Sequence, residues 1–410
     1  MNILFLASSL PRFANDLQAP FVLEQAEAWK VKRPADNIYI LAPHDAAAAR
    51  QEQVGDIEIR RFQYFAPASL QALAYPAILP NVKRNPLLIA QIPAFLWAEY
   101  TAAKRLIREQ GIDLIYAHWV MPQGLVARYL LKATGVPYAI QNHSSDLRVF
   151  AKLGEPGKSM ARAIVRDART MFCVNCQQKD YALSLFEASD RPDIADKITV
   201  LPMGVSLDVA FVHKSDKESY RYQFGMISRL SRKKGIDLFI KAADRLADAG
   251  ETVPIGIAGD GEDHQFLKSM PQSSDISFPG FVIGADKLRF FIETRFMVFA
   301  SVSAGDDVEG LPVALLEALC CGKVVIASRD TNLEMLPEWD RIRNDIMFVA
   351  DPKDTDTFIS AMRRILQLED EDVAARSERL RAVMSRYLWH NLIEEYLAKL
   401  TLNNHPRAQI

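Results

Sequence analysis

Phe296-Met297-Val298-Phe299-Ala300 is followed, after a short polar stretch, by Gly305-Asp306-Asp307-Val308-Glu309-Gly310-Leu311-Pro312-Val313-Ala314-Leu315-Leu316-Glu317-Ala318-Leu319-Cys320-Cys321-Gly322. The first five residues form a short, unbroken apolar run, as a buried parallel strand does. The loop after it is polar and contains glycine. A helix is then expected to start at Leu311–Pro312, because proline is favoured in the first helical turn. It is expected to stop at Gly322, a natural C-terminal cap. Strand, loop and helix in this order place the helix start at the carboxyl edge of a parallel sheet, where α/β proteins bind ligands. Its free N–H groups and dipole favour phosphate. Glu309 stands just ahead of that positive end. Glu317 lies about a turn and a half inside the helix, on a face shared with Val313 and Leu316. A carboxylate buried there needs a partner, and a ribose diol would serve. The competing reading makes both glutamates ordinary helix-flanking acids.

The same strand–helix step recurs along the chain, the signature of a parallel sheet wrapped by helices. In the first half, strands are expected near Asn2–Ala7, Asn37–Ala42, Leu114–Ala117, Tyr138–Gln141, Thr170–Val174 and Ile198–Leu201, with helices over Phe21–Val31 and Ala94–Glu109. Val205–Arg221 turns polar and charged and reads as a linker. Strands then resume at Phe224–Ser228, Pro254–Ala258, Ile276–Phe278, Phe296–Ala300, Lys323–Ser328 and Met347–Val349. Helices are expected over Asp354–Leu368 and Val373–Leu400. The chain of 410 residues thus divides into a first domain over 1–205, a second over 206–385 and a closing helix over 386–410. The fold class is α/β, two Rossmann-like domains expected to face each other across a cleft.

Other features narrow the chemistry. A formal charge of −2 gives no basic excess of the kind a nucleic-acid partner calls for. No apolar run reaches the length of a membrane span. The N-terminus has no charged start before its short apolar run, so it reads as a first strand and not as a signal peptide; the cysteines, read as free apolar fillers, fit a cytoplasmic, reducing compartment. Cys173-x-x-Cys176 is read as a strand residue packed inside and an unrelated neighbour; no second pair at zinc spacing exists. Phe62–Pro93 holds Pro67, Pro76, Pro80, Pro86 and Pro93, with aromatics on both sides of Lys83-Arg84. Only short helical pieces are plausible there. This stretch is either an acceptor-side or membrane-touching surface, or an excursion packed on the first domain. Asp354-Thr355-Asp356 precedes a helix and reads as its cap.

Two further loops face ligands. Phe224-Gly225-Met226-Ile227-Ser228-Arg229-Leu230-Ser231-Arg232-Lys233-Lys234-Gly235 runs from a strand into a basic turn that opens a helix. Arg229 and Lys234 flank the turn and suit phosphate oxygens; Arg232 and Lys233 read as solvated. In Ile255-Gly256-Ile257-Ala258-Gly259-Asp260-Gly261-Glu262 the glycines allow close approach to the backbone.

Taken in order, Ser228-Arg229-Leu230…Lys234-Gly235, Gly259-Asp260-Gly261, Phe278-Pro279-Gly280-Phe281 and Glu309-Gly310-Leu311-Pro312…Glu317-Ala318…Gly322 resemble the retaining GT-B glycosyltransferases of family 4, including the Glu-x7-Glu spacing. The first half adds Asp113-Leu114-Ile115-Tyr116-Ala117-His118-Trp119, His143-Ser144-Ser145-Asp146 and Leu201-Pro202-Met203-Gly204-Val205. The resemblance implies transfer of a sugar from a nucleotide-diphosphate sugar to a hydroxyl on a carbohydrate or lipid-linked acceptor, in polysaccharide, lipopolysaccharide or glycolipid synthesis. It implies that Arg229 and Lys234 hold the diphosphate, Glu317 the ribose, and Gly310 and Leu311 donate from the helix start. Glu309 and His143 would lie near the transferred sugar. Phe281 and Val282 would meet the base, with Gly259 beside the donor. His118 and Asp146 fall on the acceptor side. No metal cofactor is expected, because the cations and the helix end can offset the diphosphate's charge.

There are departures. Relatives carry glycine after the first strand; Asn15-Asp16-Leu17-Gln18-Ala19-Pro20 has none. Asp330-Thr331-Asn332-Leu333-Glu334 replaces a Gly-Gly-x-x-Glu. These losses motivate a rival reading, a nucleotide-binding protein of the same fold without transferase activity. A dinucleotide-dependent oxidoreductase, suggested only by Gly259-Asp260-Gly261, lacks the third glycine.

Overall fold

The computed structural model describes residues 1–13, 16, 19–143, 147–148, 153–207, 220–270, 273–302 and 311–401. The chain forms two compact units. Unit 1 comprises 1–204 and 389–410, and unit 2 comprises 205–388.

Unit 1 carries β1 (Asn2–Leu6), α1 (Pro20–Lys32), β2 (Asn37–Pro43), β3 (Gln51–Val54), β4 (Ile57–Phe62), α2 (Ile78–Arg84), α3 (Ile92–Gln110) and β5 (Leu114–His118). There follow α4 (Leu125–Thr134), β6 (Tyr138–Asn142), α5 (Gly154–Asp167), β7 (Thr170–Cys173), α6 (Cys176–Ser184), α7 (Arg191–Lys197) and β8 (Ile198–Val200). The strands form one sheet in the order β3-β4-β2-β1-β5-β6-β7-β8, parallel except for the β3–β4 hairpin. Ile3 to Leu6, and all of β5, β6 and β7, are buried. Helices cover both faces, which is why these strands read as continuous apolar runs and not as alternating ones.

Unit 2 repeats the plan with β9 (Tyr222–Ile227), α8 (Ile236–Asp248), β10 (Ile255–Ala258), α9 (His264–Ser269), β11 (Ile276–Gly280), α10 (Gly284–Glu293) and β12 (Thr294–Phe299). It continues with α11 (Val313–Cys320), β13 (Val325–Ser328), α12 (Trp339–Ile342), β14 (Met347–Val349), α13 (Thr355–Leu366) and α14 (Asp370–Met384). Its sheet is parallel throughout, in the order β11-β10-β9-β12-β13-β14. α8 shows why its sequence folds as it does. Ile236, Phe239, Ile240, Ala243 and Leu246 recur at helical spacing and are all buried, so one stripe meets the sheet. Asp354 caps α13, accepting from the amides of Asp356 and Thr357 at 3.0 and 3.4 Å.

The chain then returns to unit 1 as α15 (Trp389–Thr401), packed against α1. Lys32 pairs with Glu394, and the Tyr396 hydroxyl donates to the carbonyls of Leu201 and Pro202 at 3.1 Å. A Cβ on Gly204 would come within 2.3 Å of the Trp389 indole, so only glycine fits under that ring.

Three expectations need correction. The β3–β4 hairpin was not expected; Val54-Gly55-Asp56-Ile57 turns it, with Gly55 at φ 56°. The helix expected over Val373–Leu400 is two helices, broken at Ser385–Leu388 where the chain leaves unit 2. α11 begins at Val313; Pro312 sits at its cap, and its carbonyl accepts from Leu315 and Leu316. Phe62–Pro93 does hold only short helical pieces. It packs Leu73 and Ala74 into the core while Leu70, Leu79, Leu87 and Ile89 stay exposed. Most of the expected linker lies outside the described residues.

Candidate functional site

In an open parallel sheet the ligand crevice opens where the strand order reverses. In unit 2 that point lies between β9 and β12. The loop after β9 carries Arg229, Arg232, Lys233 and Lys234, and it docks directly on the end of β12. The amide of Val302 donates to the Lys233 carbonyl at 2.8 Å. Gly235 has φ 64°, and a Cβ there would stand 2.0 Å from the Ala300 carbonyl oxygen. Glycine is therefore required for the two loops to meet.

The glycines after β10 do similar work. The sequence suggests that they let a ligand approach; what approaches in this structure is the neighbouring loop. A Cβ on Gly259 would lie 1.8 Å from the Ser228 carbonyl oxygen, and one on Gly261 2.4 Å from that of Leu230. The amide of Leu230 donates to Asp260 and that of Asp263 to Leu230, at 2.9 and 3.0 Å. Arg229 is thus held on a braced loop, with its guanidinium exposed and paired to Glu262 at 2.9 Å. Lys234 is half-buried on the same loop.

Glu317 is buried on α11, and its carboxylate accepts from Lys287 of α10 at 2.6 Å. Burial raises its pKa and the Lys287 ammonium opposes that rise. Sequence reasoning asked for a partner to Glu317 and missed Lys287. A lone lysine on an amphipathic helix, thirty residues away, carries no mark of this role. Phe281, between β11 and α10, is exposed, Val282 beside it is half-buried, and so is Leu311 ahead of α11. Glu309 and Gly310 lie outside the described residues, as does Asp146 in unit 1.

In unit 1 the strand order reverses between β1 and β5. His118 ends β5 and His143 follows β6. His118 Nδ1 and His143 Nε2 are 2.9 Å apart, with ring planes at 14°. At a centroid separation of 5.2 Å the imidazoles meet edge to edge. Phe21 and Trp119 flank His143, with ring centroids at 4.6 and 4.7 Å, and Phe5 packs on His118. His118 is fully buried, and its pKa is lowered well below the usual value by burial and then by His143. Burial lowers His143 too. Both rings are therefore neutral near pH 7, and one proton lies between them. His118 Nε2 is buried without a hydrogen-bond partner. An orphaned buried N–H is rarer than an orphaned acceptor, so the His118 proton belongs on Nδ1. It donates to His143 Nε2, which leaves the His143 proton on Nδ1. His143 then offers its surroundings a donor and no base.

Among the described residues, three that are not glycine take positive φ: Ala19 (48°), Trp119 (77°) and Asn332 (57°). Each stands in a loop after a strand's carboxyl end, following β1, β5 and β13. Ala19 and Asn332 fall in the two loops whose glycines the sequence lacks. The left-handed backbone is kept there without glycine, at a cost of order 1 kcal/mol each. Strain of this kind collects at ligand sites.

All four cysteines are free; Cys173, Cys320 and Cys321 are buried and Cys176 is exposed. Among the described residues no group of three His, Cys, Asp or Glu side chains is placed to hold a metal ion, and no helix is long and apolar enough to cross a membrane.

Comparison with known proteins agrees with this architecture. Residues 36–209 match the family described as Glycosyltransferase Family 4, and residues 221–368 match Glycosyl transferases group 1. A putative teichuronic acid biosynthesis glycosyltransferase of Bacillus subtilis is 26% identical over 227 residues, 53% of this chain and 53% of that protein. An amylovoran biosynthesis glycosyltransferase of Erwinia amylovora is 26% identical over 215 residues, 50% of this chain and 52% of that protein. The matched region thus spans about half the length of these relatives. Among solved structures, an Anabaena protein in complex with UDP and glucose superposes with a TM-score of 0.63 at 16% identity, covering 98% of this chain and 99% of the other. The fold is of the GT-B class, two α/β units with parallel sheets.

Proposed function

The chain belongs to glycosyltransferase family 4, the group 1 glycosyl transferases, and on that premise we infer that it moves a sugar from a nucleotide-diphosphate sugar to a hydroxyl acceptor, with retention at the anomeric carbon. The observation that carries this reading is the braced meeting of the β9 and β12 loops at the reversal point of the unit 2 sheet. It sets two cations, Arg229 and Lys234, beside the strand that leads to α11. Glu317 lies on α11, its carboxylate already ordered by Lys287 and suited to a ribose diol. Unit 2 is accordingly the donor unit, with Glu309 near the transferred sugar and Phe281 and Val282 near the base.

As the bond to the sugar breaks, negative charge grows on the departing diphosphate. Arg229, Lys234 and the free amides at the start of α11 stabilise that charge more in the transition state than before it, and the resemblance gives Gly310 and Leu311 as donors. No metal ion is called for. Within unit 1, His143 offers an N–H donor oriented by His118. The acceptor hydroxyl attacks from the face the leaving group vacates, and no enzymic nucleophile is needed. Unit 1 takes the acceptor.

The named relatives, which work in teichuronic acid and amylovoran synthesis, support a role in polysaccharide or glycolipid assembly. A cytoplasmic site, with peripheral attachment to the inner membrane face when the acceptor is lipid-linked, belongs to the same reading. Against the rival, a binding protein that has lost catalysis, stand Ala19 and Asn332, which take left-handed backbone in these loops without glycine. The test is a thermal-shift screen of nucleotide-diphosphate sugars, since a ligand that binds only the folded state raises its stability. The stabilising donor is then incubated with candidate acceptors, and the product's anomeric configuration is read by NMR. Absence of any stabilising donor, or an inverted product, would contradict the reading.

A further inference from the structure

Unit 1 holds a second cavity, apart from the histidine pair. It is a groove of about 310 Å³ between α3 and the C-terminal half of β4. Three arginine side chains line it, Arg50, Arg60 and Arg105, and no carboxylate does; Arg61 adds to the wall, but its guanidinium is buried and held by Glu52, Tyr75 and the Pro11 carbonyl. Glu58 and Glu109 hold Arg60 at 2.6 and 2.7 Å, and Glu52 holds Arg61 at 2.7 Å. Among the described residues no carboxylate lies within ion-pair distance of Arg50 or Arg105. Glu58 and Glu109, both paired with Arg60, leave at least one of the groove's three positive charges uncancelled. Guanidiniums repel one another, so folding gains nothing by gathering three of them around an open space.

The rest of the lining defines the ligand's other half. Leu41, Phe62 and Leu106 are buried beneath the groove, and Thr101 and Gln63 add hydroxyl and amide groups. An apolar floor with polar rim groups suits a sugar ring, which offers C–H faces and hydroxyls. The arginine forks suit a carboxylate or phosphate. A bilayer suits it less. None of the lining residues is an exposed large apolar side chain, and Trp97 and Tyr129, which are, line the α3–α4 side instead. β4 lies three strand positions from β5, which ends in His118, or roughly 14 Å at about 4.8 Å per step. A group held here would therefore belong to a part of the acceptor remote from the reacting hydroxyl.

We propose that this groove is a subsite for an acidic sugar residue of the acceptor, one bearing a carboxylate or phosphate. The acceptor role rests on the transferase reading; the binding does not, and it is tested without turnover. The probe is a galacturonic acid trimer, with cellotriose as the neutral control, followed by calorimetry and by the arginine Nε–H signals in NMR. Wild type should bind the acidic trimer and not cellotriose, more weakly as salt rises. Arg50→Gln/Arg105→Gln should weaken that binding roughly 10- to 100-fold, the loss of one or two charge-assisted hydrogen bonds. Both side chains are exposed, so the fold should hold, as a thermal melt will check. Arg229→Gln, in unit 2, should leave the trimer's affinity unchanged. Equal binding of cellotriose, or an affinity unaffected by the double substitution, would overturn the proposal. So would binding to phosphatidylglycerol vesicles that depends on Arg50 and Arg105 when the trimer does not bind.

Discussion

Glu99 sits in the middle of α3, fully buried, with a single weak hydrogen bond from Gln123 at 3.3 Å and its second oxygen without a partner. Burial pushes its pKa up to about 8, from 4.5 in an exposed chain. The sign follows from proton uptake. Between these values the folded chain keeps the proton and the unfolded chain releases it, so stability falls as pH rises from about 4.5 to about 8. At pH 7 the gap of about 2.5 units corresponds to roughly 3 kcal/mol of lost stability, at 1.36 kcal/mol per unit. Glu99→Gln removes the titration and keeps the shape. Burying the amide adds a constant offset, so the diagnostic is a slope. The variant's stability relative to wild type should rise by about 1.4 kcal/mol per pH unit between about pH 5 and pH 8, and be flat below that range. Urea unfolding followed by tryptophan fluorescence suits the measurement, because Trp29, Trp97, Trp119 and Trp389 lie in unit 1 and only Trp339 lies in unit 2. Parallel curves for the two proteins would show that Glu99 is ionised in the fold, refuting the argument from burial.

Three more outcomes bear on the role proposed for unit 2. Arg229→Ala should cut turnover by roughly 10²-fold or more and weaken nucleotide-diphosphate binding, while Arg232→Ala does little; equal effects would remove Arg229 from the leaving-group site. Calorimetry with the bare nucleotide diphosphate should show a loss for Glu317→Ala and none for Glu309→Gln, whose deficit should appear in turnover alone; the reverse pattern would exchange their roles. Activity should survive excess EDTA, and Asp354→Ala should be near neutral for turnover, since that carboxylate is occupied in capping α13. Loss on chelation, restored by magnesium or manganese, would mean that the cations and helix start do not suffice.

The parallel strands were legible because burial on both faces leaves an apolar run bounded by turn residues. β4 escaped notice because it alternates: Ile57, Ile59 and Arg61 face one way and Glu58 and Arg60 the other, one strand in from the edge of the sheet. That edge is where the arginine groove forms, so the overlooked strand and the overlooked cavity have one cause. The loops around Arg229 and Gly259 were legible as ligand-facing, but the use of their glycines was not. Close approach of backbone to backbone and of backbone to ligand demand the same residue. The His118–His143 and Lys287–Glu317 pairs join residues 25 and 30 positions apart, and no periodicity encodes such a meeting. Ala19 and Asn332 show the converse: a sequence without glycine still folds into a left-handed turn when the surrounding structure requires it.

Unit 2 begins at Val205 and ends at Leu388, and these two residues form a β-bridge, with the Val205 amide donating to the Tyr387 carbonyl at 2.9 Å. Across the joint, Gly204 and Trp389 close on each other within unit 1. Unit 2 is therefore an insert whose entry and exit are stitched together, and unit 1 closes its own two ends with Gly204 and Trp389. Such a seam tolerates exchange. At the chain crossings, a unit 2 taken from a relative has this one pair of joints to match, while unit 1 keeps both of its segments. Gly204 and Trp389 are then the fitting that every such exchange has to preserve.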